Sequence, residues 1–204
     1  MKPENTSLAK TRHETAAGVL YAGSAFLIWG LSPVYWKAMQ SVPALEIVTH
    51  RVVWSFLFLV ALTLVQRRWG ELKDVLKTPR PLLILALTTL LVSCNWLLYI
   101  WAVNAGFMLQ ASLGYYINPL VNVLLGMVFL KERLRRPQAL AVLLAGAAVV
   151  YRTVSYGELP WIALTLGLTF GLYGLIRKVA PVSSLVGLTV ETLLLTAPGI
   201  AYLV

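Results

Sequence analysis

Seven long apolar stretches joined by short polar segments organise this chain: residues 17–37, 44–66, 81–103, 107–130, 137–151 (extendable to 154), 159–176 and 183–204. A helix rising 1.5 Å per residue needs about 17–25 residues to cross roughly 30 Å of hydrocarbon, and each stretch meets that with short or tilted members allowed. None alternates polar and apolar residues in the period of a barrel strand. The pattern predicts an all-α polytopic membrane protein with seven spanning helices. Residues 1–16, with Lys2, Glu4, Lys10, Arg12, His13 and Glu14, read as a disordered tail. The first stretch is an uncleaved span, because Trp29, Pro33 and Trp36 replace the small residues of a signal-peptide cleavage site. The longest join puts Trp69, Leu72, Val75 and Leu76 on one face at helical spacing. It reads as a connecting turn with basic anchors, or as a helix lying along the lipid surface.

Composition agrees with that pattern. The 204 residues are 59% hydrophobic and 12% charged, with a mean hydropathy of +0.77. A soluble domain is about 25% charged, so this chain has too little polar surface to stay dissolved and belongs in a lipid bilayer. The net charge of +9 does not mark a nucleic-acid binder, because the cations sit in short clusters between apolar runs. Fourteen Lys and Arg residues fall in the tail and in the joins after the second, fourth and sixth spans. Only Lys37 and Arg152 fall in the opposite joins. Positive charge stays inside, so the N-terminus is expected in the cytoplasm and Val204 at the outer face. Cys94 is the single cysteine and forms no internal disulfide; it reads as a small core residue.

Candidate chemistry begins in the second span, which carries Glu46, His50 and Arg51. Counted from the outer face, Glu46 is ~3 Å deep, His50 ~9 Å and Arg51 ~10 Å. Ionisable groups within a span mark a functional site by default, since a charge in hydrocarbon costs ~2.5–3.5 kcal/mol or more. Glu46 and His50 lie about 40° apart on the helix, whereas Arg51 points elsewhere. The fourth span carries Pro119 near mid-depth, where its missing N–H frees the carbonyl of Tyr115. Tyr115 and Asn118 with Gln110, Tyr116 and Asn122 predict a cavity wall there. Asn95 and Tyr99 share one face of the third span, beside Trp96 and Trp101. The fifth span has small residues at spacing four, a packing face that would also serve a homodimer. Glu191 in the seventh span is ~12 Å deep from the inner face, within ~8 Å of the level of Arg51. The two are therefore expected to form the charged poles of one cavity. A zinc site is not expected, with no Cys/His set, and no catalytic triad or phosphate loop appears.

The chain also matches itself weakly. Trp29-Gly30-Leu31 aligns with Phe170-Gly171-Leu172, Lys37 with Lys178, and Leu45 and Thr49 with Leu185 and Thr189, which sets Arg51 opposite Glu191. Because five helices per unit is odd, the second copy must run inverted, as in many secondary transporters.

Trp29-Gly30 with Pro33, then Thr49-His50-Arg51, then Asn118-Pro119 followed by Phe129-Leu130-Lys131-Glu132-Arg133-Leu134 resemble the EamA unit of the drug/metabolite transporter superfamily. The wider runs Ser32 to Lys37, His50 to Ser55 and Gly114 to Leu120 are similar to its RarD group of permeases. The resemblance implies ten helices in two inverted five-helix repeats. Residues 17–155 would be the first repeat and 156–204 the first two helices of an incomplete second, so the chain reads as C-terminally truncated. It further implies a bacterial inner-membrane permease or exporter for a small organic solute, working by alternating access and without a cofactor. The residues then expected at the solute are Arg51, His50, Glu191, Asn95, Tyr99, Tyr115, Asn118 and Pro119. The rival readings are an intramembrane enzyme using Glu46 and His50, and a membrane adaptor that does not transport.

Overall fold

The computed structural model describes residues 4–157 and 159–203. Among these, the chain forms eight helices and no strand: α1 (Glu4–Ala38), α2 (Ala44–Val65), α3 (Trp69–Lys77), α4 (Pro79–Asn104), α5 (Met108–Phe129), α6 (Arg136–Tyr156), α7 (Trp161–Val179) and α8 (Ser184–Leu203). All but α3 contain a stretch long and apolar enough to cross a membrane.

The first unit of the fold is α1 with Met39. The helix begins at Glu4 rather than at the first apolar residue, which corrects the expectation of a disordered tail. Its polar turns hold no glycine or proline after Pro3 and carry Ala, Lys and Glu, all good helix formers. Along the apolar part, Phe26 meets Trp29 edge to face at 6.0 Å, and the Ser32 hydroxyl donates to the Trp29 carbonyl at 2.8 Å.

The second unit, residues 40–204, is a bundle centred on α4, which touches α2, α3, α5, α7 and α8. The helix ends follow local rules. Pro79 and Pro81 open α4, and α6 starts with Pro137 in its first turn and the Arg135 N–H donating to Gln138 Oε1 at 2.9 Å. α6 closes on Gly157 at φ 68°, a left-handed cap that residues with a Cβ resist.

Lipid is as apolar as leucine, so helices associate there by close packing and internal hydrogen bonds. Both devices hold this bundle. α5 lies against α7 where side chains are missing: Gly114 faces Leu166, Gly167 faces Ile117, and Gly171 faces Val121. α4 is tied to α7 by Asn95, whose Nδ2 donates to the Leu166 carbonyl and to Thr169 Oγ1, both at 2.9 Å. α2 is tied to α8 by a buried pair of hydroxyls, Thr63 and Thr189, 3.2 Å apart.

One end of the bundle gathers Arg67, Arg68, Lys178 and the basic joins, and is called the basic end below. There α3 buries Leu72 and Val75 against Leu85 of α4 and Val186 and Val190 of α8. This corrects the reading of 67–77 as a plain connecting turn: residues 69–77 form a helix that spends Leu72 and Val75 on the protein and leaves Trp69 and Leu76 exposed. The Glu71 carboxylate accepts the Ser183 backbone N–H at 3.1 Å, capping the start of α8. Hydrogen bonding from the Ser183 hydroxyl, with a smaller share from its backbone N–H, holds the Glu71 carboxyl below its usual range.

Candidate functional site

Two polar clusters sit at equivalent levels in α2 and α8. The first surrounds Arg51, eight residues into α2 and so ~10 Å from its start. Its guanidinium lies over the Trp96 ring of α4, 4.2 Å from the centroid. Tyr99, one turn further along α4, meets Tyr115 of α5 edge to face at 5.7 Å, and Arg51 acts electrostatically on Tyr115. Arg51, Trp96, Tyr99 and Tyr115 therefore form one cation–aromatic group contributed by three helices. Contact with an indole ring is a favoured seat for a guanidinium.

Asn118 and Pro119 lie on the next turn of α5, three and four residues beyond Tyr115 and on the same face. Asn118 Oδ1 accepts from Asn122 Nδ2 at 3.3 Å, and Pro119 is exposed while α5 continues through it. His50 is exposed, and Glu46 is half-buried near the start of α2. Asn95 is buried, with its amide occupied by the α4–α7 crossing. Among the described residues no group of three His, Cys, Asp or Glu side chains is gathered.

The second cluster surrounds Glu191, which is 1% exposed. Its Oε1 accepts from Thr88 Oγ1 of α4 at 2.7 Å, and its Oε2 accepts from the Tyr173 hydroxyl of α7 at 3.2 Å. The cation beside it is Arg177, with Nε 3.6 Å from Oε1. The expectation that Glu191 answers Arg51 is thereby corrected. Arg177 counted as a loop residue in the sequence, but α7 runs on to Val179 and carries it on the final turn. Gly187, one turn before Glu191, supplies the room: a Cβ there would overlap the Arg177 guanidinium. Lys178, the neighbouring cation, instead points to Glu132 at 2.8 Å. Thr88, Tyr173, Arg177 and Gly187 were thus missing from the sequence-derived set. The Gly187-x-x-x-Glu191 spacing, a notch one turn from a buried acid, is the signal that would have found them.

A groove of about 330 Å³ opens between α2, α4 and α8, walled by Val48, Val52, Leu97 and Leu195, with Thr49 and Ser93 as polar points. Cys94 lines it and is exposed, which corrects its reading as a core residue. The groove includes neither Asn118 nor Pro119, so the cavity wall expected from α5 does not bound it.

The model of the EamA-like transporter family matches residues 16–153. "Protein RarD" of Salmonella typhi is 54% identical over 190 residues, covering 93% of this chain and 65% of that protein. The "Uncharacterized transporter YojE" of Bacillus subtilis is 48% identical over 194 residues, covering 93% and 65%. The "Chloramphenicol-sensitive protein RarD" of Pseudomonas aeruginosa is 33% identical over 190 residues, covering 91% and 64%. No solved structure matches. The chain thus spans about 65% of the length of the first of these relatives.

Proposed function

This chain belongs to the EamA-like transporter family as a RarD-type member, and from that premise we propose that it carries a small organic solute across the bacterial inner membrane as a secondary transporter. The observation that carries the reading is Arg51 seated on Trp96 within a spanning helix, beside the Tyr99–Tyr115 pair. A guanidinium at such depth is costly in lipid, so its place is a protein-lined site. An aromatic floor with a guanidinium seated on it suits a planar polar solute. Relatives named as transporters, and one named for chloramphenicol sensitivity, support a solute of drug or metabolite size.

The mechanism in this reading is alternating access between inverted repeats, with α2 and α8 as equivalent helices. Two pieces of geometry support the equivalence. Thr49 and Thr189, aligned by the internal match, each donate to the carbonyl four residues back, at 2.8 Å in both cases. The α2–α8 contact is also close to reciprocal. Inverting the Thr63–Thr189 contact in that alignment calls for Thr49 against the last turns of α8, where a Cβ on Gly199 would stand 3.0 Å from Thr49 Cγ2. The basic end faces the cytoplasm in this scheme. A reporter active only in the periplasm is expected to be active when fused within residues 104–106 and silent when fused at Asp74. The opposite result would invert the scheme.

Solute counterflow into proteoliposomes tests the function, with chloramphenicol and small acids, amines and neutral amides as the panel. Arg51→Gln is expected to lower counterflow of the accepted solute at least about tenfold, the loss of ~1.4 kcal/mol or more of binding. It should leave the yield of folded protein unchanged. A chain that moves nothing from the panel, or an Arg51→Gln variant that transports normally, refutes the reading. The enzyme alternative is less well supported, because His50 faces outward rather than into a pocket with Glu46.

A further inference from the structure

We propose that Glu191 is a proton-binding site reached from the basic end along Glu71, Ser183 and Arg177, at which a proton and the Arg177 guanidinium exchange. Its use to drive transport rests on the function proposed above; the binding itself does not.

The line of polar groups is continuous. Glu71 stands half-exposed at the basic end and holds the Ser183 N–H. The Ser183 carbonyl accepts from Arg177 Nη2 at 3.3 Å, and Arg177 Nε lies 3.6 Å from Glu191. Buried polar groups are nearly always hydrogen-bonded, and orphaned ones call for an explanation. One orphan lies in the middle of this line: Arg177 Nη1 is buried without a hydrogen-bond partner. A buried donor left over beside Ser183, whose hydroxyl and N–H both bear on Glu71, suits water between the Glu71 surface and the buried acid.

The ion pair is correspondingly loose. At 3.6 Å the Arg177–Glu191 contact is longer than a charge-assisted hydrogen bond, and the guanidinium shares its donors with Ser183. Arg177 sits on the last turn of α7, from which its side chain can swing to the aqueous end beside Glu71. Glu191 cannot follow, being eight residues into α8. Once Arg177 leaves, the carboxylate keeps only the hydroxyls of Thr88 and Tyr173. An ion so enclosed neutralises rather than stay charged, so it takes a proton from the basic-end water and becomes the carboxylic acid. Arg177 stays protonated throughout, so the buried site stays neutral while the chain as a whole gains one positive charge. Among the described residues, the titratable and charged groups that bear on Glu191 are Tyr173 and Arg177 from α7, and α4 adds the Thr88 hydroxyl. Glu71 of α3 acts on it only through Ser183 and Arg177, and α2 places Thr63 against Thr189 of the same helix.

Infrared difference spectroscopy of the chain in phosphatidylcholine vesicles, taken across a pH series, reads the proton directly. The wild type is expected to gain a protonated-carboxyl stretch on acidification, and Glu191→Gln to lose that band. Arg177→Gln should show the band already at neutral pH, since no cation competes. Tyr173→Phe should shift the band frequency by removing a hydrogen bond, and serves should Glu191→Gln fail to fold. A band that survives in Glu191→Gln, is absent from the wild type, or is unmoved by both Arg177→Gln and Tyr173→Phe overturns the proposal. Failure of every panel solute to move in counterflow would refute the transport reading while leaving this band to decide proton binding.

Discussion

Arg177→Ala is expected to destabilise the bundle by about 3 kcal/mol, the lower end of the loss on breaking a buried ion pair from one side. The cost comes from Glu191, which is 1% exposed and, without its cation, must take up a proton to remain buried. Glu191→Ala should cost less. The abandoned guanidinium is on the last turn of α7 and its side chain is already 12% exposed, so it can withdraw to solvent. Replacing both together, Arg177→Met with Glu191→Leu, should recover most of the loss, because an apolar pair of similar volume carries no desolvation cost. Unfolding titrations in mixed detergent micelles measure these variants, with Arg177→Met and Glu191→Leu made singly to complete the cycle. Coupling between the two positions is the diagnostic, and strict additivity would mean that Arg177 and Glu191 do not act as a pair.

Much of this architecture is visible in the amino-acid pattern, for a physical reason. A membrane leaves a helix no option but an apolar stretch of fixed length, so the α2 and α5 limits lie within one residue of those read from hydrophobicity. Arg51 could be singled out on the same ground, since a cation inside such a stretch needs a protein partner. What the pattern does not carry is which helix faces which. Asn95 reads as a cavity residue when only its own helix is considered, yet its amide is used up across the α4–α7 crossing. Glu191 reads as lacking a partner because Arg177 is fourteen residues away on another helix, and a glycine one turn before an acid marks a notch without saying which side chain fills it. The α3 face is ambiguous for the same reason. Leu72 and Val75 would suit lipid or protein equally, and only the place of α8 decides between them.

Gly167→Ala should be among the most damaging single-methyl additions in the chain. A Cβ at that position would stand 2.7 Å from Ile117 Cγ2, 3.3 Å from Ile117 Cβ and 3.4 Å from the Asn118 backbone nitrogen. Neither neighbour can give way: a β-branched side chain in a helix keeps one strongly preferred rotamer, and the nitrogen belongs to the α5 backbone. The helices must separate, which sets the expected loss at about 1–3 kcal/mol, with larger residues worse. The clash is specific enough to be relieved. Ile117→Ala removes Cγ2, so Gly167→Ala with Ile117→Ala should be more stable than the sum of the two single losses predicts. Gly146→Ala on α6 is the control, since a Cβ there meets nothing within 4 Å, and it should be near neutral. The same displacement reaches the Arg51 cluster, because Tyr115 lies half a turn before Ile117 on the helix being pushed. Loss of solute counterflow should therefore accompany the loss of stability in Gly167→Ala and return with Ile117→Ala. If the double variant regains stability but not counterflow, the position of Tyr115 is set by something other than the α5–α7 contact.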